Sequence, residues 1–207
     1  MKKEKEDKFI EDKSEQGTED WFKIRIGKLT ASHAQSIGNA GKGLETYVTE
    51  LMAEYYSIAD KVQFSNKDTE RGKELEDYAR EMYGLEKDIE VKQVGFIHND
   101  FYGCSCDGFV GDEGIIEFKC LNDVGHYLLI RDKDKAIDTK FLWQVQMQLL
   151  ITKRKWADLV FYSPNFSQSM IIFRIVPDKE KHEALKVGIA KGIELIKNQL
   201  KNYDKKI

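Results

Sequence analysis

The sequence predicts an α/β fold: a mixed central sheet of about five strands flanked by helices. Three observations predict it. Apolar residues recur at helical spacing up to Tyr83. From Ile89 onward, β-rich runs alternate with turn signals. A helical stretch then crosses between two of those runs, and an amphipathic segment closes the chain.

In chain order, residues 1–16 read as a disordered charged tail and 17–207 as one domain. Thr18 is placed to cap a short helix, with Glu19 and Asp20 in its first turn and Gly27 at its end. Ser32 is expected to cap a second short helix through Ile37. Leu44, Tyr47, Val48, Leu51, Met52 and Tyr55 mark a third. A fourth fits Thr69 to Tyr83, with Leu75, Ala79, Met82 and Tyr83 inward and Gly84 as its stop. Ile89, Val91 and Val94 to Ile97 read as strand, and Phe101 to Cys106 and Gly108 to Gly111 as extended segments around a bend. The turn Gly111-Asp112-Glu113-Gly114 leads into a strand from Ile115 to Cys120. Helices are expected near Asn122 to Arg131 and from Thr139 to Thr152. Ala157 to Tyr162 and Met170 to Val176 form a hairpin around Pro164-Asn165. Asp178 to Asn202 makes the closing helix, with Leu185, Ile189, Ile193 and Ile196 on one stripe.

The chain has 207 residues, 41% hydrophobic and 33% charged. That is enough for one well-buried core. No apolar stretch approaches the ~20 residues of a membrane span. The first residues lack the apolar core of a signal peptide. An odd number of cysteines, three, argues for a reducing cytoplasm and against a disulfide framework. The net charge of −3 counts against a nucleic-acid binder, but affinity for phosphates depends on local positive charge rather than on the whole-chain sum.

The chemistry concentrates in Cys106-Asp107-Gly108 and Glu117-Phe118-Lys119. In a strand, Glu117 and Lys119 share one face, while Ile116, Phe118 and Cys120 point to the other. A structural strand seldom turns charges inward, because unpaired burial is costly. Phosphodiester hydrolysis wants such a set. The carboxylates of Asp107 and Glu117 suit Mg²⁺, and Lys119 can position or deprotonate water and stabilise charge. The plain alternative is a surface ion pair beside an unrelated Asp-Gly turn.

Four blocks decide between them: Trp21 to Ser32, Arg71 to Glu76, Ser105 to Gly108 with Glu117 to Cys120, and Gln144-Val145-Gln146-Met147-Gln148 followed by Trp156 and Tyr162-Ser163-Pro164. Together they resemble the phage lambda exonuclease-like (YqaJ-type) viral recombinases of the PD-(D/E)xK nuclease superfamily. The resemblance implies a restriction-endonuclease-like core. It also implies a 5′→3′ exonuclease that digests linear double-stranded DNA to mononucleotides and leaves a 3′ single strand for recombination. In this family the residue before the aspartate is usually proline; here it is Cys106.

The resemblance makes Asp107, Glu117 and Glu76 metal-binding carboxylates for Mg²⁺ or Mn²⁺, with two ions expected. It makes Lys119 the catalytic lysine and Gln144 an active-site glutamine, with Gln146 and Gln148 as alternatives for that role. Arg25, Ser32 and Ser105 match a pocket for the terminal 5′-phosphate. That assignment agrees with the bidentate fit of arginine to phosphate and with anion binding at helix N-termini. The partners implied are DNA ends, a single-strand annealing protein and two further copies in a homotrimer. The setting implied is the cytoplasm of a bacterial host, for a phage or prophage protein. The alternatives are an endonuclease on the same core and a DNA-end-binding protein without catalysis. Cys104, Cys106 and Cys120 lack the count and spacing of a zinc or iron–sulfur site, and the four histidines form no ligand spacing. Trp143 and Trp156 are expected in the core; Trp21 falls beside the phosphate pocket.

Overall fold

The computed structural model describes residues 7–58 and 67–204, with the backbone alone at 67–74 and 203–204. Nine strands and seven α-helices are found among these residues. Their order is β1 (Ile10–Asp12), α1 (Glu19–Arg25), β2 (Leu29–Thr30), α2 (Ala34–Asn39), α3 (Lys42–Tyr56), α4 (Lys67–Lys87), β3 (Val91–Lys92), β4 (Phe96–His98), β5 (Tyr102–Cys104), β6 (Gly108–Val110), β7 (Gly114–Lys119), α5 (Asp123–Asp132), α6 (Thr139–Thr152), β8 (Trp156–Tyr162), β9 (Met170–Ile175) and α7 (Lys179–Asp204).

The expected five-stranded mixed sheet is present, in the order β3-β6-β7-β8-β9. Strand β7 runs parallel to β8, with Glu117 opposite Leu159, and the other pairs are antiparallel. A parallel pair needs a crossover, and α5 with α6 supplies it. Residues of β7 split between two cores, as strand alternation requires. Ile115 joins the larger core with α2, α3, α6 and α7; Ile116 and Phe118 join a smaller one with Ala79 and Tyr83 of α4. The sheet therefore lies between α6 on one face and α4 on the other.

A second sheet, in the order β1-β4-β5-β2, was not anticipated. Its strands are two or three residues long, too short for alternation to show in sequence. Its outer strand corrects the expected tail: Ile10 to Asp12 pairs with Phe96 to His98, and Gln16 Nε2 donates to the carbonyls of Val94 and Cys106, each at 2.8 Å. Residues 1–6 of that tail lie outside the described residues, as do the side chains of Arg71 to Glu74.

Two further expectations change. Helix α4 passes through Gly84 and ends three residues later; Asp88 takes the left-handed conformation (φ 52°), and the Ile89 N–H closes on the Gly84 carbonyl. Met82 is 45% exposed, because Leu75, Ala79 and Tyr83 four residues apart already define the inward face. Ser32 is not a helix cap. It lies inside a 3₁₀ turn, Ala31–His33, and α2 starts after it.

Helix α7 packs on α2 at very close range. A Cβ added at Gly188 would meet the Ile37 carbonyl oxygen at 1.8 Å. In an open helix Gly→Ala stabilises by about 1 kcal/mol. Here the obstacle is backbone, so overpacking at about 1–3 kcal/mol exceeds that gain. Gly188→Ala is expected to lower the urea midpoint; a raised midpoint would show that α7 can slide.

Candidate active site

Strand β7 carries the acidic centre. Glu117 is 3% exposed and faces α6. Three N–H donors converge on its carboxylate: Lys119 Nζ at 2.6 Å and Gln144 Nε2 at 2.5 Å on Oε1, and Gln148 Nε2 at 2.6 Å on Oε2. Gln144 and Gln148 are one helical turn apart and so share a face of α6. Gln146 faces away and bridges the Val176 carbonyl and the Asp178 N–H. Its amide thus ties α6 to the segment before α7 and does not touch Glu117.

Asp107 sits in the bend between β5 and β6. Its N–H reaches the Ile116 carbonyl, and its Oδ2 accepts the Phe118 N–H at 2.7 Å, which fixes it against β7. Burial pushes its carboxyl well above the usual range, and the charges of Glu117 and Glu76 add to this against Lys119. Glu76, on α4, is likewise raised by burial and by Glu117, opposed by Lys119 and Arg80. Burial would lower Lys119, but Glu117 and Asp107 outweigh it and hold the ammonium above its ordinary value. The structure thus places Glu76, Asp107, Glu117, Lys119 and Gln144 in one cluster. Gln148, one of the two alternatives to Gln144, joins the same cluster through Glu117.

Could these residues hold a metal? The donors are three carboxylates with one lysine among them, an excess of buried negative charge. All-oxygen donors suit a hard divalent cation such as Mg²⁺ or Mn²⁺. Among the described residues no three such side chains close into a preformed cage. That is compatible with Mg²⁺, which takes one or two protein carboxylates and completes its shell with water and substrate phosphate.

A cavity of about 230 Å³ is lined by Arg25, Lys28, Thr30, Ser32, His33 and Tyr47, with Glu50 and Glu54 of α3 also on its wall. Arg25 stacks on Trp21 at 4.0 Å and on Phe96 at 5.1 Å. Burial lowers it to about 10. Among the described residues no carboxylate lies within ion-pair distance of its guanidinium. A hydroxyl network backs the pocket: Tyr47 Oη and Thr30 Oγ1 are 3.0 Å apart, Thr30 Oγ1 and Ser32 Oγ 3.0 Å, and Ser32 Oγ and His33 Nδ1 3.2 Å. Ser105 lies next to it. Its Oγ accepts from Trp21 Nε1 at 3.1 Å and, more weakly, from Arg25 Nη1 at 3.4 Å. Arg25, Ser32 and Ser105 therefore meet in one region, through Trp21. Lys28, Thr30, His33 and Tyr47 were not foreseen, because single polar residues flanking a short strand carry no pattern. The cysteines form no disulfide and no metal cluster among the described residues.

No curated protein matches the sequence. Solved structures do. The alkaline exonuclease LHK-Exo of Laribacter hongkongensis is 28% identical, with a TM-score of 0.82 over 91% of this chain and 97% of that one. The same enzyme in complex with dAMP gives 29% and 0.82 over the same shares. A phage-related exonuclease of Haemophilus somnus 129PT, 19% identical, shares the fold with a TM-score of 0.71 over 87% and 98%. Residues 20–155, which hold both the acidic centre and the arginine pocket, match the YqaJ-like viral recombinase domain, and the chain belongs to that family.

Proposed function

We propose that this chain is a divalent-metal-dependent 5′→3′ exonuclease. It digests linear double-stranded DNA from a 5′-phosphorylated end to mononucleotides and leaves a 3′ single strand for recombination. One observation carries the reading: an acidic centre and an arginine-lined pocket lie on either side of a single residue, Ser105. A half-buried cation with no carboxylate at ion-pair distance among the described residues suits an anionic ligand. Arg25, the Ser32 and Ser105 hydroxyls and Lys28 offer directed donors to a terminal phosphate. Glu50 and Glu54 reduce the pocket's net charge, so these donors rather than the overall field provide the hold. The dAMP complex of LHK-Exo supports a mononucleotide product.

Glu76, Asp107 and Glu117 would hold the metal, whose chemistry is to lower the pKa of a bound water and to neutralise phosphate charge. Lys119, as an ammonium, places positive charge beside Glu117 where phosphate charge builds up. Gln144 holds Glu117 Oε1 in place. Partners in the proposal are DNA ends, a single-strand annealing protein and two further copies of the chain. Light scattering behind gel filtration would reject the trimer by giving a monomer mass. Among the described residues no helix is long and apolar enough to cross a membrane.

The test is digestion with Mg²⁺ of 5′-phosphorylated linear duplex, labelled at each strand end, beside covalently closed circles. Release of the 5′ label as mononucleotide with intact circles supports the proposal. Cutting of circles makes the chain an endonuclease, and no cutting of either makes it an end-binding protein. Charge-assisted hydrogen bonds contribute about 1.5–3 kcal/mol. Arg25→Ala is therefore expected to cut the preference for 5′-phosphate over 5′-hydroxyl ends by roughly 10–100-fold. An unchanged preference would place the phosphate elsewhere.

A further inference from the structure

Gln148 is fully buried on α6 and donates two hydrogen bonds through one nitrogen. Its Nε2 reaches Glu117 Oε2 at 2.6 Å and the Ser105 carbonyl at 2.9 Å. Both partners only accept, so the amide orientation is fixed. The price is its own Oε1, which is buried and has no hydrogen-bond partner among the described residues. A buried acceptor left unmade is unfavourable. An amide serving packing alone would satisfy both ends, as Gln146 does with Val176 and Asp178. Gln148 instead aims both N–H groups at two different parts of the site.

Its second partner matters because of where Ser105 stands. The Ser105 hydroxyl faces Trp21 and Arg25, while its carbonyl faces Gln148. The residues on either side, Cys104 and Cys106, are fully buried, and the Cys106 carbonyl is held by Gln16. The backbone is clamped on both sides of Ser105. A change in what the hydroxyl binds therefore passes into the orientation of that one peptide and hence to the Gln148 amide. Hydrogen bonds join Arg25 to the Ser105 hydroxyl, the Ser105 carbonyl to Gln148, and Gln148 to Glu117, with the covalent frame of Ser105 between the first two.

We propose that Gln148 is a positioning residue that couples occupancy of the arginine pocket to the placement of the Glu117 carboxylate. It rests on the reading of that pocket as a 5′-phosphate site. A phosphate on Arg25 and Ser105 orders the Ser105 carbonyl, Gln148 follows, and Glu117 is held in its metal-binding orientation. An end without the phosphate can bind but leaves Glu117 less well ordered. Specificity for the phosphorylated end then resides in turnover as well as in affinity.

Coupling between two sites is reciprocal, so it can be read without catalysis. Mn²⁺ binding is measured by calorimetry on the full chain. The probe is a short duplex with a methylphosphonate, which resists cleavage, at its first linkage and either a 5′-phosphate or a 5′-hydroxyl. In the parent protein the 5′-phosphate is expected to tighten Mn²⁺ binding by about fivefold or more. Gln148→Met, similar in length but without donors, should bring this factor to within about twofold of one while both duplexes still bind. In steady-state digestion the same variant should lower kcat on phosphorylated ends and leave KM near the parent value. A merely structural loss would not remove the Mn²⁺–phosphate coupling selectively. Should Gln148→Met fail to fold, Ser105→Ala decides, because it keeps the carbonyl but removes the hydroxyl. Lost coupling there supports the proposal and full coupling overturns it. Full coupling in a folded Gln148→Met also overturns it, as does a parent protein that prefers 5′-phosphate ends yet shows no Mn²⁺–phosphate coupling. A parent protein indifferent to the 5′-phosphate in both binding and digestion instead overturns the phosphate-pocket reading itself, and the coupling with it.

Discussion

Lys119→Ala is expected to slow hydrolysis by roughly 10²–10⁴-fold or more while duplex ends still bind. Lys119 is the cation set directly against the acidic centre, 2.6 Å from Glu117 and one-fifth exposed. Its loss removes the charge that offsets Glu76, Asp107 and Glu117 and that would stabilise the transition state. The fold should survive, because Gln144 and Gln148 still donate to both oxygens of Glu117. Binding should survive because Arg25 and Ser105 are untouched. Single-turnover digestion and fluorescence anisotropy on the same duplex separate the two effects. Parent-level cleavage by the variant would remove Lys119 from the chemistry.

Asp158→Ala is expected to destabilise the protein by about 2–4 kcal/mol. Asp158 is 1% exposed on β8. It accepts the Tyr83 hydroxyl at 2.6 Å and two N–H groups of Arg174 at 2.5 and 2.9 Å. The Arg174 side chain is 55% exposed and can turn to water, so little of the cost arises there. Tyr83 is 1% exposed, and its hydroxyl would be left buried without an acceptor. Asp158→Asn, which keeps an acceptor, should recover much of the loss. Urea denaturation of the three proteins gives the comparison; equal midpoints for parent and Asp158→Ala would show that Tyr83 is satisfied some other way.

Much of the large sheet and of α6 was legible because long segments repeat their pattern. Thr139 and Thr152 bound α6 in both sequence and structure. The alternation of Glu117 and Lys119 with Ile116 and Phe118 revealed the faces of β7 before any coordinates. The small sheet was not legible, since β2 and β5 lie some 70 residues apart and pair over two residues. Pairing that short is decided by tertiary context, not by local propensity. Glu117 and Lys119 stood out because charge inside an apolar strand is anomalous, whereas Glu76 on its helix was marked by the family resemblance alone. For the glutamines the sequence left Gln144, Gln146 and Gln148 open, since a glutamine in a helix is ordinary until its partners are seen.

The two cores are unequal. Tyr83 and Ala79 anchor α4 to a cluster of seven buried residues among those described, whereas α2, α3, α6 and α7 share the much larger one. Local opening follows such differences in buried apolar contact. The backbone amides of α4 are therefore expected to exchange with deuterium sooner than those of α6 and α7. Glu76 lies on α4, whereas Gln148 lies on α6 and Glu117 faces it, where slower exchange is expected. On that expectation one acid of the proposed metal site would be fastened to a detachable unit and another to the rigid frame, and a sub-global unfolding equilibrium would govern the completeness of the site.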